Sequence, residues 1–178
     1  MSKMFIRFFT IADFEEEEIW LREQHQHGLK LVNMVPPCFY YFEECEPEDV
    51  VYRLDFKNAY PDSEYTTLFA DYGWEYAGKC FGWIYFRKPA SQMESDEDSE
   101  IFSDCESRIS MLENIIKRRM TPILVIFLCC CLPSLFRAMD SVTGMAFKTF
   151  WIIMTVMYVY LITHCTAKLF VLKKKYEK

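Results

Sequence analysis

Basic residues are scarce where a nucleic-acid reader would need them. Residues 1–90 carry 9 Lys and Arg against 16 Asp and Glu, and residues 91–116 carry one Arg against 8 acids. Displacing phosphate counterions takes clustered Lys and Arg, and neither a basic stripe nor a zinc-finger spacing is present. No nucleic-acid partner is expected. The 8 cysteines form no CxxC pair, which excludes the usual redox and zinc spacings. The 3 histidines make no HExxH motif and no nucleophile–base set, and neither a phosphate loop nor a Rossmann glycine pattern occurs. The chain is therefore expected to have no enzymatic activity, no cofactor and no metal. The N-terminus shows no apolar stretch of the kind that marks a cleaved leader. His25 and His27 stand near the end of a helix-like stretch, where surface groups capping the negative end of the dipole are expected.

What the chain does have is a basic, apolar tail. Residues 117–178 hold 10 basic and 2 acidic side chains. Thr121–Phe136 carries no charge over 16 residues, or about 24 Å of helix against a hydrocarbon core of about 30 Å. It either crosses with Arg137 snorkelling or lies as a re-entrant or interfacial helix. Thr149–Ala167 is a stronger span, with 19 uncharged residues. Lys117, Arg118 and Arg119 precede the first segment, and Lys173, Lys174 and Lys175 follow the second. The positive-inside rule then puts both termini in the cytoplasm of a two-pass plasma (inner) membrane protein. Reduced thiols at Cys38, Cys45 and Cys80 suit that compartment. Cys129, Cys130 and Cys131 are expected to pack against the partner helix, and His164 and Lys168 to snorkel toward headgroups.

The head reads as one unit written twice. Residues 3–10 are strand-like, and Asp13 is placed to cap a helix rich in Glu at its start and stopped at Gly28. Two more strand patterns follow, "LKLVNMV" and "CFYYFEE", on either side of a Pro-Pro turn. The order then repeats: "VVYRLDF", a helix with Tyr65, Leu68, Phe69 and Tyr72 on one face, a stop at Gly73, "WEYAGKC" and "WIYFRK". The expected fold class is α+β: a duplicated strand–helix–strand–strand cytoplasmic head sharing one antiparallel sheet system, followed by a two-helix transmembrane hairpin. Its parts are a head at 1–90 with repeats at 3–44 and 49–89, and a flexible acidic linker at 91–101. An amphipathic juxtamembrane helix follows at 102–119, then a hairpin at 120–172 and a basic tail at 173–178. Phe102, Cys105, Ile109, Leu112 and Ile116 form an a/d stripe in that juxtamembrane helix, open either to a coiled coil or to a bilayer-surface helix.

The phrases "IWLREQHQHGLKLV", "FYYFEECEPEDVVYRLDF" and "LFADYGWEYAGKCFGWIYFRKP" resemble a bacterial family, domain-of-unknown-function family 2812, over residues 3–89. The resemblance implies a cytoplasmic head joined to C-terminal membrane spans, and an association with PadR-type repressors. It implies no chemistry. The sequence departs from it at Gln24 and His25, where apolar residues are usual. The element order alone also resembles the doubled module of GyrI-like effector-binding folds.

Aromatic residues are the abundant resource. Phe39–Phe42 and Trp83–Phe86 place large groups on both faces of two strands. Either two sheets or two protomers close over them, or the uncovered face binds something. Tyr40, Phe42, Trp83 and Tyr85, with Glu43, Glu44 and Asp55 nearby, would suit a small lipophilic cation through ring and carboxylate attraction. The leading expectation is a non-enzymatic sensory head that binds a ligand or a protein. The alternative is a structural accessory subunit docking a membrane-protein partner or pairing as a homodimer. In both readings the lipid bilayer holds the tail.

Overall fold

The computed structural model describes residues 2–57, 63–93, 100–101, 105–140 and 144–176. The chain forms two compact units, 1–107 and 108–178, and the head lies in the first. Its elements run β1 (Ser2–Ile6), α1 (Phe14–Gln26), β2 (Leu29–Val35), β3 (Phe39–Glu44), β4 (Val50–Phe56), α2 (Ser63–Asp71), β5 (Glu75–Cys80) and β6 (Trp83–Pro89). The fold class is α+β with strand–helix–strand–strand given twice, as the residue pattern predicts. The strands do not share one sheet. They form two three-stranded antiparallel sheets, sheet A in the order β1-β3-β2 and sheet B in the order β4-β6-β5. The two match in detail. In each, the central strand is the last of its unit, and the second strand carries an irregularity at the same place, between Leu31 and Asn33 and between Tyr76 and Gly78.

Asp13 stands at the N-cap position of α1 but caps nothing there. Its carboxylate turns back to accept hydrogen bonds from the Thr10 amide and hydroxyl, at 2.8 and 2.6 Å. The helix end follows the expectation more closely, since Gly28 and Gly73 both adopt left-handed conformations, which only glycine adopts without cost. His27 is exposed, and its ring nitrogen lies 2.6 Å from the Glu23 carbonyl, as a surface cap should. His25 is not a surface group. It is 5 % exposed, because its face of the helix looks into the protein.

Alternation in β6 decides how the core is divided. Ile84 and Phe86 point to one side, where Val51, Trp74, Tyr65 and Phe69 complete a cluster. Trp83 and Tyr85 point to the other side, toward α1: the Phe14 ring lies 5.2 Å from that of Trp83. Of the four apolar residues expected on the buried face of α2, only Tyr65 and Phe69 pack. Leu68 and Tyr72 are exposed, since a helix of 9 residues reaches the sheet with one narrow stripe. The connector is not free at its ends either. Met93 and Ile101 pack on the same cluster, and Glu100 pairs with Arg53 at 3.2 Å. The rest of that acidic segment, residues 94–99, lies outside the described residues.

The second unit contains two helices long and apolar enough to cross a membrane, Glu106–Asp140 and Met145–Tyr176. The first is far longer than the 16-residue uncharged window suggests. At about 1.5 Å per residue it measures roughly 52 Å, so shortness is no obstacle to crossing. Two π-helical turns, Ile116–Met120 and Phe127–Cys131, interrupt it, each ending two residues before a proline, Pro122 or Pro133. A proline removes one amide donor and crowds the carbonyl four residues back, and a wider turn absorbs both defects. The expected a/d stripe holds at Leu112 and shifts beyond it. Met111, Leu112 and Ile115 are buried while Ile116 is exposed; Phe102 and the Cys105 side chain lie outside the described positions. Lys173 meets Glu113 at 2.7 Å, and Arg108 donates to the Tyr176 hydroxyl. These polar contacts tie the start of the first long helix to the end of the second. Of the three adjacent cysteines only Cys131 is buried, with Cys129 and Cys130 exposed.

Gly28 gives a direct test of the head. A Cβ there would lie 2.9 Å from the Cys45 carbonyl oxygen, whereas one at Gly73 would meet the flexible Lys88 side chain at 3.3 Å and Gln92 Oε1 at 3.8 Å. Gly28→Ala should destabilise the head by about 2 kcal/mol or more and Gly73→Ala by roughly 1 kcal/mol. Thermal unfolding of the full chain, followed by tryptophan fluorescence, measures the difference.

Candidate functional site

The side of α1 that faces the sheets carries four polar residues, Glu17, Glu18, Arg22 and His25. Glu17 is 4 % exposed. Its Oε1 accepts a hydrogen bond from the Tyr40 hydroxyl of sheet A and another from the Tyr85 hydroxyl of sheet B, both at 2.7 Å. One carboxylate oxygen therefore joins the two sheets. Burial pushes its pKa up, and the two hydroxyl donors pull only partly against that. Burial and the Glu17 charge together raise both tyrosines, which stay protonated donors.

The neighbouring turns extend the seam. Glu18 accepts the Leu54 amide at 2.8 Å and an Arg53 guanidinium N–H at 3.2 Å, which satisfies an amide on the edge strand β4 that would otherwise face outward. Arg22 makes a two-pronged pair with Asp49, both contacts at 2.6 Å. The His25 Nδ1 lies 2.8 Å from the Tyr52 hydroxyl. Burial, with the nearby Arg87 and Lys30 charges, lowers that ring to about 4, so it is neutral near pH 7. Arg87 continues the seam, donating to both Glu75 carboxylate oxygens and, at 3.0 Å, to the Leu31 carbonyl of sheet A.

The residues expected to line a ligand wall do not form one. Tyr40, Phe42, Trp83 and Tyr85 are buried, and α1 is what buries them. Trp20 sets its ring edge-on to Tyr40 and Phe42 at 4.9 and 5.7 Å, and Phe14 covers Trp83. The large aromatic face anticipated on these strands is thus core, because one helix lies between two sheets and serves both. Only Tyr40 and Tyr85 converge, on Glu17. Glu43 and Glu44 sit exposed at the far end of β3, where Lys3 pairs with Glu44 at 3.1 Å and holds its carboxyl below the usual range. Asp55 lies on the opposite side of sheet B, bonded to the Tyr65 hydroxyl, and burial raises it.

The open apolar surface is elsewhere. On the side of sheet A turned away from α1, the register places Ile6, Phe39 and Val35 in one row and Met4, Tyr41 and Asn33 in the next. Ile6 is 66 %, Met4 52 % and Val35 42 % exposed, with Val32 and Phe8 also open. Phe39 and Tyr41 alternate with Tyr40 and Phe42, so the strand pattern already puts them on this face. The signal missed was the apolar character of β1, whose outer residues Met4 and Ile6 complete the band. A shallow depression of about 340 Å³ on α2, lined by Ser63, Glu64, Thr67, Leu68 and Asp71, is rimmed by polar residues and offers no comparable surface.

A family model described as "Protein of unknown function (DUF2812)" matches residues 13–127. The match starts at the N-cap of α1 and runs past the head into the first long helix, further than residues 3–89. No curated protein and no solved structure matches the chain. The chain belongs to the DUF2812 family.

Two variants separate the roles of the seam. Glu17→Gln keeps a carbonyl oxygen for both tyrosines and should leave stability within about 1 kcal/mol of wild type. Glu17→Ala strands two buried hydroxyls and should cost roughly 2–5 kcal/mol; unfolding midpoints at pH 7 report both. For His25 the sign is set by its lowered pKa. Between pH 6.5 and about 4 the folded ring binds fewer protons than the unfolded one, so stability is lost as pH falls through that window. Relative to wild type, His25→Gln should shift the difference between the thermal midpoints at pH 5 and pH 7 in favour of pH 5.

Proposed function

We propose that this DUF2812 member is a non-enzymatic membrane-anchored docking protein, whose cytoplasmic head binds a protein partner while the helical hairpin holds it in the plasma membrane. One observation carries the reading: the exposed apolar band of Ile6, Met4, Phe39, Tyr41 and Val35 on the outer face of sheet A. Patches of that kind on a folded head mark interaction surfaces. The ligand-sensing reading has the weaker support, because a lipophilic cation approaching Glu17 would have to displace both tyrosine hydroxyls and pass Trp20 or Phe14. The matched strand order, register and bulge positions support descent of the two halves from one duplicated unit.

The cytoplasmic placement rests on charge. Lys117, Arg118, Arg119, Lys173, Lys174 and Lys175 gather at one end of the helix pair, where the Glu113–Lys173 ion pair also lies, and basic residues stay on the cytoplasmic side. The partner would then be a membrane protein or a cytoplasmic one; the PadR-type repressors implied by the resemblance belong to the second class.

Purification of the full chain from native membranes tests the reading. Wild type and an Ile6→Lys variant should differ by at least one stoichiometric protein, recovered with the first and lost with the second. Identical sets of co-purifying proteins, together with saturable quenching of tryptophan fluorescence by a lipophilic cation such as tetraphenylphosphonium, would overturn it.

A further inference from the structure

The two sheets can be compared row by row, because their registers coincide. In sheet B, Phe56, Trp83 and Cys80 form one row, Leu54, Tyr85 and then Gly78 the next, and Tyr52, Arg87 and Glu75 the third. In sheet A the same rows read Ile6, Phe39 and Val35, then Met4, Tyr41 and Asn33, then Ser2, Glu43 and Lys30. Each has an aromatic ring at the centre of the first row, a tyrosine at the centre of the second, and opposite charges side by side in the third. In sheet B this face is covered, and a helix covers it. Phe14 stacks on Trp83, Glu17 takes the Tyr85 hydroxyl at 2.7 Å, Leu21 is fully buried, and His25 reaches Tyr52. These residues fall at i, i+3, i+7 and i+11, a single stripe of one helix. Both described helices of the head are already used, α1 between the sheets and α2 on the far side of sheet B.

From this precedent we infer that the outer face of sheet A receives an amphipathic helix of a partner protein. That helix carries an aromatic or large apolar residue for Phe39 and a carboxylate three residues later for the Tyr41 hydroxyl. The inference rests on the docking reading and names the chemistry of its partner. The polar centre of the band favours a helix over a lipid surface. Tyr41 and Asn33 lie in the middle of it, and the Lys30 and Glu43 row closes one end, so a covering surface needs acceptors and donors at set positions. Hydrocarbon offers none.

The chain supplies its own probe, a fluorescently labelled peptide of residues 11–28 of this sequence, which has the required spacing. Titrated into full-length protein in nanodiscs, it should bind saturably. A peptide with Glu17→Ala should bind about tenfold more weakly or worse, the usual loss for a hydrogen bond to a charged group. Tyr41→Phe in the protein should produce a similar loss, and being nearly isosteric it keeps the fold. Ile6→Lys should abolish binding, while Leu68→Lys on α2 should leave it unchanged. Near-UV circular dichroism checks that each variant is folded. No saturable binding, or equal binding to the Ile6→Lys protein, overturns the inference. So does self-association that Ile6→Lys dissolves, since the occupant is then a second copy. Binding to phosphatidylglycerol vesicles that is lost in Ile6→Lys equally overturns it in favour of the bilayer. Should native membranes yield an Ile6-dependent partner while the peptide fails to bind, the docking reading stands and the helix falls.

Discussion

A single carboxylate oxygen holds the head in one arrangement. Glu17 Oε1 is shared by Tyr40 of sheet A and Tyr85 of sheet B, so α1 cannot rotate or slide without orphaning two buried hydroxyls. Each such loss costs more than the hydrogen bond contributes when made, because the stranded group forfeits its hydration as well. Apolar packing alone would specify this geometry less sharply. The rings of Trp20, Phe14, Phe42 and Trp83 would tolerate a helix displaced by part of a turn, whereas the Glu17, Glu18 and His25 contacts would not. Fixing α1 between the sheets also determines what is left uncovered. With α1 committed to the inner face of sheet A and the Trp83–Tyr85 face of sheet B, and α2 to the opposite face of sheet B, no described helix of the head is left for the outer face of sheet A.

The seam has a cost that depends on pH. Burial raises Glu17 and Asp55 and lowers His25. The raised carboxylates favour the folded state where they are protonated, and that contribution is lost as pH rises through their folded values. The lowered imidazole acts in the opposite sense, losing its contribution as pH falls toward about 4. The two effects have opposite signs, so they subtract from each other in the intact head. Hydrogen bonds from Arg87 and Arg22 lower Glu75 and Asp49, which favours the charged pairs at the ends of the seam.

The element order was legible because it depends on local signals. Gly28 and Gly73 end helices, an alternating run makes β2, β-branched and aromatic runs make β4 and β6, and the stretches flanking Pro36 and Pro37 pair as β2 and β3. Partition into two sheets was not legible, since nothing in "CFYYFEE" or "WIYFRK" says which other strands each will join. The burial of Tyr40, Phe42, Trp83 and Tyr85 was not legible for a related reason. Large residues in succession announce that both faces of a strand are apolar, but whether the second face meets water or a helix depends on distant contacts, such as Tyr85 with Glu17, 68 residues apart. The run of Glu at the start of α1 illustrates the limit. Glu15 to Glu18 reads as a solvated helix start, and in fact Glu17 and Glu18 are buried while Glu16 faces outward. A residue type that is almost never buried unless partnered gives no sign in sequence of where its partners are. His25 hides in the same way, its partner Tyr52 lying 27 residues on.

In the helical unit, length and charge settle what a bilayer would contain. Helices of roughly 52 and 48 Å exceed a hydrocarbon core of about 30 Å, so some turns of each must lie beyond it. The charged contacts say which turns. Glu113 with Lys173 and Arg108 with Tyr176 need water or headgroups at one end, next to Lys117, Arg118 and Arg119. The uncharged stretch from Thr121 onward then begins where the polar collar stops, and Leu124, Val125, Ile126 and Leu128 turn outward, as lipid-facing residues do. Both prolines fall in that stretch, where an unsatisfied backbone carbonyl is most costly. Widening the preceding turn keeps the helix continuous there, which a proline kink with an open carbonyl would not. Two π turns spaced by the Pro122–Pro133 interval are thus the condition on which a proline-containing helix of this length stays unbroken.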